Sequence, residues 1–283
     1  MMFAVVLILF LANAYAQPLP GFNIALHPPE IGQGELALLT IQKEENLTPE
    51  VTWGGKQITV VFDPSKDTWT GFLGADLTTA PGRYTLTTKC GGEVLERQIR
   101  VVAKDHGIRR FTVPKEMEAL DPHILERVRE ESKRMREILS VSDAQPLWQG
   151  SWVRPLPGGI VSPFGCRTII NDLERSPHSG VDLKAAEGTP IKAANRGRVV
   201  LVADHFFGGL SAVMDHGGGI HSMYFHLSKI RVKTGQIVEK GDLIGLSGSS
   251  GRATGPHLHF GIKLNNERVN PLSLIELSQG LGR

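Results

Sequence analysis

Apolar and polar residues alternate over short stretches through the first hundred positions. Segments 35–42, 57–62, 68–72, 83–89 and 94–102 each read as strands. Between them fall the turn clusters Trp53-Gly54-Gly55, Asp63-Pro64-Ser65, Ala80-Pro81-Gly82 and Gly91-Gly92. Turns about every 8–12 residues predict a small β-sandwich of immunoglobulin-like type over 17–108. The period then changes. Asp121-Pro122 offers a helix cap followed by proline at the first helical position. Ile124, Leu125, Val128, Met135, Ile138 and Leu139 recur at helical spacing among five basic and five acidic side chains. One amphipathic helix of about five turns is expected inside a helix-and-linker segment, 109–150. It reads as a strut along the next domain that restrains access to it, with a free coiled-coil arm as the alternative.

The strand pattern returns after Ile160, over 190–193, 198–203, 211–215, 221–226, 243–246 and 258–263. No helical period appears before the tail. An all-β domain over 151–283 is expected, with antiparallel sheets and long loops framing a groove. The whole chain is thus read as all-β with one linker helix. Gly188-Thr189-Pro190-Ile191 echoes faintly in Gly235-Gln236-Ile237, a pattern that also suits a biotin- or lipoyl-type carrier barrel, but no lysine stands at a clear hairpin tip.

The start of the chain has its own pattern. An apolar run from Met1 to Ala12 precedes Ala14-Tyr15-Ala16, the small-x-small form of a cleavage site, although no Lys or Arg precedes the run. It is too short for the roughly 20 residues of a membrane span. Residues 1–16 are expected to be a signal peptide and the chain from Gln17 an exported soluble protein without a stable membrane span. An uncleaved anchor or a buried N-terminal strand is the alternative. With 31 basic against 29 acidic side chains in 283 residues, the net charge of +2 excludes a charge-driven nucleic-acid binder. The balance is uneven, net −3 over 1–150 and +5 over 151–283. Cys90 and Cys166 fall in different halves, neither in a C-x-x-C, and are expected to be unpaired structural thiols.

Seven of the ten histidines lie between His178 and His259. In His178-Ser179-Gly180-Val181-Asp182, glycine and the preceding proline disfavour a helix. A loop running into a strand would put the imidazole and carboxylate on one face, a pairing that suits zinc. In His257-Leu258-His259-Phe260 the two histidines share one side of a strand while Leu258 and Phe260 face the core. Tyr224-Phe225-His226-Leu227 repeats that arrangement. His205, His216 and His221 read as structural or surface residues. Gly248-Ser249-Ser250-Gly251 lacks the G-K-[ST] ending of a phosphate loop and reads as a flexible wall.

Taken together, H-x-G-x-D, Y-x-H-L and H-L-H resemble the lysostaphin/LytM-type zinc endopeptidases of the bacterial cell wall. The resemblance runs from Val161 to Pro271 and includes Phe164-Gly165-x-Arg167, Asp215-His216-Gly217, Gly251-x-x-Thr254-Gly255-Pro256 and Asn270-Pro271. It implies one zinc ion held by His178, Asp182 and His259, with His226 and His257 supplying proton transfer and oxyanion stabilisation and Tyr224 adding a hydrogen bond near the site. It also implies a periplasmic or cell-envelope hydrolase whose partner is the stem peptide of peptidoglycan, cut at the D-alanyl-diaminopimelate link. The alternative is a non-catalytic LytM-like module that binds wall or activates an amidase. Such relatives lose residues of the set, and all five are present here. His221 stands where relatives carry a hydroxyl residue, and 171–177 forms a longer approach loop.

Overall fold

The computed structural model describes residues 21–43, 47–64, 66–112, 121–279 and 281. The signal peptide expected over 1–16 lies outside the described residues. Among those described, no helix is long and apolar enough to cross a membrane.

The first half is two sheets around one core. One sheet orders Phe22–His27, Leu36–Lys43, Thr68–Gly74 and Val60–Asp63; the other orders Ile31–Gly32, Glu93–Val102, Gly82–Cys90, Glu50–Trp53 and Lys56–Ile58. Alternation supplies the shared core. Ile24, Leu39, Ile41, Val51, Leu73, Leu86, Ile99 and Val101 are buried together, while their chain neighbours point outward. The single strand expected over 57–62 serves both sheets, changing partner at Thr59. A Cβ on Gly71 would come within 2.9 Å of the Thr59 carbonyl, so the glycine permits this crossing. Cys90 and Cys166 are buried and free.

Two features depart from the expected linker. Ile108–Phe111 is a strand, paired in parallel with Arg167–Ile170, which Leu173–Glu174 extends into a three-stranded sheet. Four residues are too few to register a period, and their partner lies in the second half of the chain. The sandwich is also joined to that half by side chains. Leu36 and Phe72 belong to the same core as Trp148 and Trp152, and Asp76 grips the Arg268 guanidinium at 2.5 and 2.9 Å. Burial works against ionisation of Asp76, yet the hydrogen bonds from Arg268 and Thr78 hold its carboxyl well below the usual range.

The second half is built on a ten-stranded, mainly antiparallel sheet. Its main path orders Ile160–Ser162, Val181–Lys184, His257–Leu264, Ile220–Ile230, Gly209–Asp215, Gly197–His205 and Ile237–Val238. One face buries Leu183, Leu258, Phe260 and Tyr224 against Trp152 and the short tail helix Pro271–Leu277. The opposite face follows from the register. Asp182 lies across from His259, His259 from Phe225, Met223 from Val213, and Val213 from Leu201. The long helix, Pro122–Leu139, packs on this second face. Its Asp121 cap accepts from the His123 N–H at 2.8 Å, and Met135, Ile138 and Leu139 cover Leu201, Val213 and Met223.

His216 is fully enclosed behind the sheet. Its Nδ1 donates to the Arg196 carbonyl at 2.8 Å and its ring stands edge-on to Trp152 at 4.7 Å. Burial lowers its pKa to about 4, overriding the opposing bond to Arg196. The unfolded chain takes up that proton near pH 6.5. Stability is therefore full above about pH 6.5 and is lost as the pH falls toward 4, by about 3 kcal/mol from this residue. Urea unfolding across that window is expected to show a flatter pH dependence for His216→Gln. An unchanged slope would assign the acid sensitivity elsewhere.

Candidate active site

Strand pairing brings distant motifs together. His257 and His259 open the strand His257–Leu264, and Asp182 sits opposite His259 in Val181–Lys184. His178 arrives from the preceding loop. Gly180 explains the glycine of the H-x-G-x-D pattern, because a Cβ there would lie 2.6 Å from both His259 Nε2 and the Phe260 carbonyl. His178 Nε2, Asp182 Oδ1 and His259 Nδ1 converge, each 3.0–3.1 Å from the other two. Among the described residues they form the one His/Cys/Asp/Glu group whose geometry could hold a metal ion.

The chemistry of these donors asks for a cation. A carbonyl can only accept, so His178 Nδ1 carries the proton and donates to Pro163 O at 2.9 Å, with Ser162 Oγ at 3.2 Å. That leaves Nε2 as a lone pair facing the other two donors. Burial disfavours the Asp182 charge, but hydrogen bonds and positive charge from His178 and His259, where a proton stands in for a metal ion, outweigh it and hold the carboxyl well below the usual range. Burial keeps His259 neutral, its pKa lowered despite Asp182. Two imidazole nitrogens and one carboxylate aimed at a common point repel one another unless a positive ion lies between them. That donor set, two imidazole nitrogens and one carboxylate, would suit a catalytic zinc ion.

His226 and His257 flank this set. Each donates Nδ1–H to a backbone carbonyl, His226 to Ser250 at 2.9 Å and His257 to Gly255 at 2.7 Å, so each ring turns its Nε2 away from that carbonyl. The rings are 4.7 Å apart, and His257 Nε2 stands 3.8 Å from Asp182 Oδ1. Burial pushes His226 down to about 4, with the Ser250 carbonyl opposing and His257 and His259 adding to the fall. It is a neutral base at pH 7.

The expected partnership of Tyr224 with His226 does not form. Strict alternation turns Tyr224 to the opposite face, where its ring lies 5.4 Å from Phe260 and its hydroxyl accepts from the Ala194 N–H at 2.9 Å. Complete burial pushes the phenol up to about 12. Phe225 takes the place beside the metal set, stacked on His259 at 5.4 Å and 8°. His226 still reaches the same side because its backbone is left-handed, with φ of 63°, which breaks the alternation. The sequence marked the aromatic residue but gave no sign of this inversion. Nor did it mark as supports the carbonyls of Pro163, Ser250 and Gly255, whose residue types carry no such signal. His221 is buried and bonded to the Val141 carbonyl at 3.0 Å, and His205 is buried beside Phe225; neither they nor His216 join the set.

The sequence model of Peptidase family M23 matches residues 176–271, a span that holds all five residues. The chain is 43% identical over 114 residues to the peptidoglycan DD-endopeptidase ShyA of Vibrio cholerae, covering 40% of this chain and 26% of the relative. It is 37% identical over 117 residues to the DD-carboxypeptidase/endopeptidase Mpg of Neisseria meningitidis, 41% of this chain and 26% of the relative. It thus spans about a quarter of the length of these curated relatives. The crystal structure of a Pseudomonas aeruginosa protein assigned to peptidase M23 superposes with a TM-score of 0.69 at 32% identity, covering 88% of this chain and 96% of that one. By this near-complete match and by the family motifs, the chain belongs to peptidase family M23.

Proposed function

We propose that the protein is an exported zinc endopeptidase that hydrolyses the peptide cross-links of peptidoglycan at the D-alanyl-diaminopimelate bond. The observation that carries this reading is the convergence of His178 Nε2, Asp182 Oδ1 and His259 Nδ1 at 3.0–3.1 Å. The names of the relatives support the substrate, and the net +5 of 151–283 suits stem peptides that bear carboxylates.

A zinc ion held by His178, Asp182 and His259 would supply a Lewis acid for the scissile carbonyl and would bring the pKa of the attacking water toward about 7. The chain does the rest. The Pro163 carbonyl fixes the His178 ring, and Asp182 offsets part of the ion's charge. His226 presents an unprotonated Nε2, and His257 Nε2 faces the same space. Either can take the proton released by the attacking water, and once protonated it becomes a donor to the oxyanion or the departing amine. No glutamate base is required.

Purified sacculi treated with the full chain test the reading. Cross-linked muropeptide dimers should disappear with zinc present and persist with chelator or with His259→Ala, and product masses should name the bond. Intact cross-links from a protein with zinc bound would leave a wall-binding module or amidase activator in its place.

A further inference from the structure

The long helix holds the turn that leads into the site through two residues, Arg127 and Glu131. Glu131 is mostly enclosed, its side chain 19% exposed. Arg127 holds it from the same helix at 2.6 Å, and its two oxygens accept the Phe206 N–H at 3.0 and 3.2 Å. Arg127 also donates to the Asp204 carbonyl at 3.0 Å. Both ends of the 204–206 segment are thereby gripped from the helix.

That turn leads directly into the atoms that hold His226. Gly208 O accepts the His226 N–H at 2.7 Å, and Phe207 O accepts the Arg252 N–H at 3.0 Å. Ser250, whose carbonyl receives His226 Nδ1, is pinned by its hydroxyl to Leu210 N at 2.9 Å and Leu227 O at 2.7 Å. The two loops touch with no room for adjustment, since a Cβ on Gly251 would lie 2.3 Å from Gly209 N. His226 itself sits in a left-handed backbone conformation that local preference does not favour, so its surroundings must impose it.

We infer that Glu131 is a positioning residue for His226. Through the Phe206 N–H it fixes the turn whose Gly208 carbonyl holds the His226 backbone, and the helix is by this route a working part of the site. The kinetic consequence rests on the endopeptidase reading; the structural consequence does not. None of the metal-binding residues takes part in the chain of contacts, so zinc content should not change.

The test uses the full-length zinc-loaded protein, a cross-linked muropeptide dimer and amide hydrogen exchange. Glu131→Ala is expected to lower kcat about tenfold with KM and zinc content unchanged, and to raise exchange of the His226 amide about tenfold. Glu131→Gln keeps an oxygen for the Phe206 N–H and should recover most of both. Unchanged exchange at His226 in Glu131→Ala would overturn the inference. So would a uniform rise across the whole sheet, which marks general destabilisation, or a parallel loss of zinc. If the wild-type protein cleaves no dimer, the endopeptidase reading fails and the exchange measurement alone decides the positioning role.

Discussion

Asparagine in place of Asp182 is expected to lower cleavage of cross-linked muropeptides by at least about a thousandfold, the scale of several kcal/mol of Lewis-acid stabilisation. It should also leave the purified protein without stoichiometric zinc. The side chain fits the same space, so the effect is one of charge. Asp182 Oδ1 is the point on which the other groups converge, 3.0 Å from His259 Nδ1, 3.1 Å from His178 Nε2 and 3.8 Å from His257 Nε2. An amide supplies no negative charge against a dication and can turn an N–H toward the nitrogens. The metal-free fold should survive, because the substitution removes the one charge in a cluster of mutually repelling lone pairs. Metal analysis, thermal melting and initial rates together check this. A variant retaining a tenth of the activity would sink the ligand assignment.

Cutting the chain before Ser151 is expected to cost the second half its stability rather than to quicken it. Leu36 and Phe72, 2% and 3% exposed, complete the core around Trp148 and Trp152. Gly74 stands so close that a Cβ would lie 3.0 Å from Val269. The Asn270 N–H, at the cap of the tail helix, donates to Gly34 O at 2.7 Å. The long helix would leave as well, uncovering Leu201, Val213 and Met223. At about 1.5–3 kcal/mol for each large apolar side chain, the loss is on the order of 10 kcal/mol, comparable to the whole stability of a typical domain. The shortened protein should aggregate or melt at least about 20 °C lower, with no gain in rate. A stable fragment that cleaved faster than the full chain would show instead that the helix restrains access.

Local pattern was a good guide where it recurs. The Asp121-Pro122 cap, the helical spacing to Leu139 and most strands of both halves were legible from periodicity. The H-L-H parity was too, because no left-handed residue interrupts the strand His257–Leu264. What escaped depends on partners remote in sequence. Ile108–Phe111 is a strand only because Arg167–Ile170 accepts it. Tyr224 was expected beside His226 on the assumption of unbroken alternation, and the left-handed residue at 226 defeats that assumption. The supports of the site, from Pro163 to Glu131, are carbonyls and a helix carboxylate whose residue types carry no signature. Motif residues could be named in advance; what holds them in place could not.

The backbone at His226 bears on how this site can be dissected. Alanine, the customary neutral replacement, is a poor control there, since a Cβ without a compensating polar group pays roughly 1–2 kcal/mol in the left-handed region. His226→Ala keeps that cost, which His226 already bears, while removing the ring bond to Ser250 that helps to offset it, so its lost activity cannot be credited to the chemistry of the ring alone. Asparagine tolerates that conformation and glycine is indifferent to it. The pair His226→Asn and His226→Gly keeps the 2.7 Å bond to Gly208 within reach and isolates what the side chain contributes.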